Sequence, residues 1–138
     1  MPTASFTKFN SFVEALAEKI HNLGSDTLKV ALTNSAPSAA NTVLANITEI
    51  SYTNLSARTL TITSSAQTSG TYKLVIADLV LTASGGSVGP FRYIVIYNDT
   101  ATNDELIAYY DYGSSISIDD GETLTIDLDA TNGLLQLA

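Results

Sequence analysis

Apolar residues at Phe6, Phe9, Val13, Leu16, Ile20 and Leu23 recur at steps of three and four, which sets them on one stripe of a helix. Gly24 follows as a C-terminal stop, so the spacing predicts an amphipathic helix over about 6–23, with Lys8, Glu14, Glu18 and Lys19 on its other faces. From Thr27 the period falls to two: Leu28, Val30 and Leu32 alternate with Thr27, Lys29, Ala31 and Thr33. "NSAPSAANTVLAN" then reads as a long loop, and "TEISYTNLSARTLTITSS" as one or two strands. "GTYKLVIADLVLTASGG" reads as one more strand, alternating at first and nearly all apolar at its end. "ELIAYYDYG", "SSISIDDG" and "ETLTIDLD" follow, divided by Gly113, Asp120-Gly121 and Asn132-Gly133. Asp-Gly between alternating runs predicts a hairpin, and "LLQLA" either closes the last sheet or packs on a neighbour.

The run "FRYIVIY" breaks the alternation. In a regular strand Phe91, Tyr93, Val95 and Tyr97 share one face and Arg92, Ile94 and Ile96 the other, so both faces want cover. One face meets an opposing sheet; the second must meet the helix, a loop or another chain. With the helix on Ile94 and Ile96 the fold closes as a monomer, and otherwise that surface is an assembly interface. Phe91, Arg92, Tyr93, Ile94 and Ile96, with Tyr109, Tyr110 and Tyr112 from a neighbouring strand, therefore form the candidate interface. Arg92 is expected to pair with Asp111 or another acid.

One helix followed by about seven to nine short strands predicts an all-β domain, an antiparallel β-sandwich or jelly roll with one N-terminal amphipathic helix. A single domain over 1–138 is expected, with the helix at about 6–23 and the sandwich at about 27–138. No second amphipathic helix is available for the crossovers of a parallel sheet.

Composition narrows the chemistry. Fourteen acids against six bases leave a net charge of −8, which disfavours nucleic acid and anionic membrane as partners. Charged residues are 14% of the chain against a usual quarter or so, with Ser, Thr and Asn supplying most of the polarity. There is no cysteine, so disulfides and thiolate metal sites are excluded. The N-terminus does not read as a secretion signal, and no apolar run is long enough to span a membrane. A soluble protein made in a cytoplasm is expected.

No constellation of residues announces a reaction. His21, the only histidine, is expected to cap the C-terminal end of the helix, and no serine stands in a G-x-S-x-G setting. "SGGSVGP" has glycines but neither the Gly-Lys-Ser/Thr ending nor the following helix of a phosphate loop. Asp119, Asp120 and Glu122 adjoin a turn, and Asp127 and Asp129 share a face of the last long strand. "DLDATNG" approaches a calcium loop, but its glycine falls one place late and no Glu closes the frame. The plain reading is a solvated acidic surface. A hydrolase working through paired carboxylates lacks any further signal, and no cofactor is expected.

The short N-terminal helix leading into "SDTLKVALTNSAP", "GPFRYIVIYNDT" and "ELIAYYDYGSSISIDDGETLTID" resembles small virion proteins of tailed bacteriophages, loosely over most of the chain. The resemblance implies a non-enzymatic β-sandwich component, most simply a capsid decoration or cement protein. Such a protein is made in the host cytoplasm, sits on the capsid surface and bridges major capsid protein subunits, as a homo-oligomer. The alternative it leaves is a tail or fibre component, including a receptor-binding module, with the aromatic strands and the 34–46 loop as its contacts. It implies no catalytic residue.

Overall fold

A computed structural model of the chain describes residues 4–138, and among these the fold is all-β with one short helix. The elements are β1 (Ser5–Lys8), α1 (Phe12–Ala17), β2 (Leu28–Thr33), β3 (Ile62–Thr68), β4 (Thr71–Ile76), β5 (Leu79–Thr82), β6 (Val88–Asn98), β7 (Leu106–Ile118), β8 (Thr123–Ile126) and β9 (Leu135–Leu137). They form three antiparallel sheets: β1-β7-β6-β2, β3-β4-β9 and the pair β5-β8.

The helix expected over 6–23 is corrected to six residues. Phe6 lies instead on β1, opposite Tyr110 of β7, because an edge strand gains a full ladder there that an isolated helical turn cannot match. The helix ends at Lys19, not at Gly24. Lys19 takes a left-handed φ of 69°, its N–H reaches the Leu16 carbonyl, and Ile20 N–H reaches back to Ala15, the paired bonds of a Schellman stop. Only Phe12 and Ala15 of the helix are buried; Val13 and Ile20 stay exposed.

Three other readings change for reasons of tertiary pairing. "YKLVIADLVLT" is two strands, β4 and β5, which join different sheets. Gly113 divides nothing: β7 runs on to Ile118, and the glycine lies in a bulge where residues 112–115 face only Arg92 between the pairs Phe91–Ile116 and Tyr93–Asp111. Asp120-Gly121 makes a turn, but the strands it joins are not partners, since β8 pairs with β5. "LLQLA" closes a sheet, with Leu135–Leu137 along β4.

Both faces of β6 are covered from within the chain. Ile94 and Ile96 sit in the main core with Leu28, Val30 and Leu32 of β2, Leu74 and Ile76 of β4, Leu81 of β5 and Phe12 of α1. Val95 and Tyr97 face a second, smaller core with Phe9, Ala31, Ile47 and Leu106. The cover on that side is the long loop after β2. Its residues are tied down by Leu44 N–H to the Asp104 carbonyl, Leu106 N–H to the Thr42 carbonyl and Ile50 N–H to the Leu32 carbonyl, each at 3.0 Å. The bulge also reverses the order of faces. Phe91, expected beside Tyr93 and Val95, lies in the main core with Ile94.

The outer edge of β2 is closed as well. Val30 N–H donates to the Arg58 carbonyl and Leu60 N–H to Leu28. The Arg58 guanidinium bonds the Val30 carbonyl at 2.6 Å and lies 3.7 Å from the centroid of the Tyr52 ring, whose hydroxyl accepts from Leu32 N–H.

Candidate functional site

The eight residues of the expected interface divide three ways. Phe91 and Ile96 are buried inside the chain's own core, which removes them from any surface; their apolar run reflects a strand enclosed on both sides. Arg92, Tyr93 and Tyr109 belong to the face covered by the long loop. Ile94, Tyr110 and Tyr112 come together on the opposite face and line a groove.

On the loop-covered face the expected ion pair is present. Arg92 meets Asp111 with two bonds, Nε to Oδ1 at 2.8 Å and Nη2 to Oδ2 at 3.0 Å. Those bonds, with one from Gly113 N–H, hold the Asp111 carboxyl below its ordinary pKa. Tyr93 stands edge-on to Tyr109, which packs on Phe9. These contacts close a bulge and seal the smaller core, a structural use of the arginine.

The groove holds about 570 Å³, the size range of ligand sites. One wall is Tyr110 and Tyr112 of β7 with Ala4, and the other is the stretch from Thr123 to Asp129. Ile94, Ile126 and Leu128, each nearly buried, supply apolar surface. Phe6 packs edge-on against Tyr110 at 5.3 Å and remains 44% exposed, so aromatic surface continues past the groove onto β1. Burial, with the nearby Asp129 charge, pushes the Tyr110 phenol above its ordinary pKa, which keeps it protonated.

The β8 wall carries open backbone. Ala83 N–H donates to the Glu122 carbonyl and Leu128 N–H to Asp78 Oδ1, so even-numbered residues here turn their peptide groups toward β5. By alternation Thr123, Thr125 and Asp127 turn theirs the other way, where among the described residues the sheet has no further strand. Sequence alternation in "ETLTIDLD" set Asp127 and Asp129 on one face of the strand, but gave no sign that its edge would be left unpaired among the described residues.

Two acids lie along the same wall. Asp129 is engaged in its own turn: Oδ1 accepts from Thr131 and Asn132 N–H at 2.8 Å each and Oδ2 from the Asn132 side chain. These bonds lower its pKa. Among the described residues no group of three or more His, Cys, Asp or Glu side chains is placed to hold a metal.

His21 is not a helix cap. It lies beyond α1, 4% exposed, with Nδ1 3.0 Å from Asn98 Nδ2, which also donates to Asp26 Oδ2 at 2.7 Å. Asn98 Oδ1 accepts from the backbone of Thr100 and Ala101, fixing the amide's orientation. The cluster ties the helix to the β6–β7 turn.

No helix among the described residues is long and apolar enough to cross a membrane. Set against family models, curated proteins and solved structures, the chain matches none of them.

Proposed function

We propose that the chain is a non-enzymatic virion protein of a tailed bacteriophage, a β-sandwich that decorates the outside of the capsid and bridges neighbouring major capsid protein subunits. The reading begins from the resemblance of "SDTLKVALTNSAP", "GPFRYIVIYNDT" and "ELIAYYDYGSSISIDDGETLTID" to such proteins. The observation that carries it further is the groove: apolar and aromatic surface beside an open strand edge, which is equipment for holding another polypeptide. Assembly of several copies on the capsid lattice belongs to this proposal, as does synthesis in the host cytoplasm.

A decoration protein works by contact area. Each square ångström of apolar surface buried against the shell contributes about 25 cal/mol, and bound copies stabilise the assembled lattice by mass action. For a tail or fibre module the expected contacts are the aromatic strands and the 34–46 loop. The Leu44 N–H bond to the Asp104 carbonyl and the Leu106 N–H bond to the Thr42 carbonyl hold one end of that loop in place as cover for β6.

The test is binding. Purified protein is expected to saturate expanded capsids at a fixed stoichiometry and to raise their resistance to heat. Failure to bind capsids while labelling tail tips in electron micrographs would overturn the proposal.

A further inference from the structure

We infer that the groove between β7 and β8 binds an extended segment of the partner protein as an added strand on β8, its apolar side chains against Ile94 and Tyr110 and its lysines or arginines toward Asp127. This deepens the capsid-contact reading by naming the kind of segment the surface takes. Three observations converge on it. The Thr123, Thr125 and Asp127 peptide groups face away from β5 at the end of their sheet, so a strand laid there finds donors and acceptors already spaced for it. The space beside that edge is walled by apolar and aromatic side chains, where alternate side chains of such a strand would be buried. The third is charge: Asp127 and Asp129 line the groove of a chain whose net charge is −8, so a basic segment is drawn in and an acidic one repelled.

β2, which ends the four-stranded sheet, is closed by the Arg58–Leu60 segment, whereas among the described residues no segment bonds the outward edge of β8, which carries no proline. Apolar side chains in the partner segment should recur at every second position, with basic residues between them or at its ends.

The experiment selects binders from a random octapeptide library displayed against the intact protein, then measures their affinities by fluorescence anisotropy. Alternating apolar residues with Lys or Arg are expected among the selected peptides. Thr125→Pro removes one outward N–H while leaving the ladder to β5 in place, and is expected to weaken binding at least tenfold. Asp127→Lys, an exposed substitution that leaves the backbone unchanged, is expected to weaken it comparably and to reduce its salt dependence. It serves as the test if Thr125→Pro does not fold by circular dichroism. Selected peptides without alternation, or wild-type affinity in both Asp127→Lys and a folded Thr125→Pro, would overturn the inference. Wild-type self-association that Asp127→Lys abolishes would give the edge to a second copy and overturn it too. Capsid binding by the same variants separates the two proposals. Wild-type protein that takes the peptides but no capsid sinks the capsid reading alone; capsid binding untouched by either variant sinks strand addition alone.

Discussion

The His21 imidazole is enclosed, with Nδ1 accepting from Asn98 and Nε2 meeting no partner among the described residues. Burial lowers its pKa below the ordinary 6.5, outweighing the opposite pull of Glu105 and Asp26. The folded state therefore resists a proton that the unfolded chain accepts. Above pH 6.5 both states are neutral and nothing is lost; as pH falls below that value toward the folded pKa, the unfolded state binds more proton and stability declines. The slope contributed by one such group is at most about 1.4 kcal/mol per pH unit. In His21→Gln, the melting temperature is expected to fall less between pH 7 and pH 5.5 than in the wild type, and a titration of melting temperature against pH reads the difference directly. Equal slopes would assign the acid sensitivity elsewhere. The histidine was conspicuous in the sequence as the only one, but its partner Asn98 lies 77 positions away, and no local pattern ties the two.

At the scale of elements, the stop of α1 is strained at one position. Lys19 occupies the left-handed C′ site of a Schellman motif, which glycine enters without the steric cost that a side chain brings. The Lys19 side chain is exposed and makes no hydrogen bond or ion pair among the described residues, so Lys19→Gly should relieve strain and give up little. A gain of about 0.5–1 kcal/mol is expected, measured as a shift of the urea midpoint at unchanged slope. The helix also shows where periodicity misleads. Phe6, Phe9, Val13, Leu16, Ile20 and Leu23 keep helical spacing across a strand, a turn, a helix and a loop, yet share no single face: Phe6 packs on Tyr110, Phe9 on Tyr109, Leu16 and Leu23 on the main core, and Val13 and Ile20 stay exposed. Six residues cannot separate one stripe from several unrelated contacts. By contrast β2 and the middle of β6 were readable, since period two in "LKVALT" and the unbroken run "YIVIY" follow from burial on one or both faces. The bulge at residues 112–115, which sends Phe91 inward and leaves Tyr110 and Tyr112 on the groove, depends on pairing between strands and leaves only a glycine as its trace.

Across the whole molecule, the enclosure of β6 on both faces bears on how copies meet. A neighbour is not needed to cover Ile94 and Ile96, which the chain's own strands and Phe12 enclose, nor Val95 and Tyr97, which the loop encloses through Ile47 and Leu44. Folding thus needs no second copy: stability rests on the two internal clusters, and the capsid contact proposed above would use the groove and Phe6. Ile47 is the sharpest probe of this division, because it is 9% exposed and belongs to a loop that would be free if a second chain supplied the cover. Ile47→Ala is expected to cost about 2–4 kcal/mol, with an unfolding midpoint that does not move with protein concentration. Phe6→Ser, at an exposed site on β1, is expected to leave the melt nearly unchanged while weakening capsid binding. Should Ile47→Ala melt like the wild type at low concentration and diverge only as the protein is concentrated, the loop would be an intersubunit cover and the two functions would share one surface.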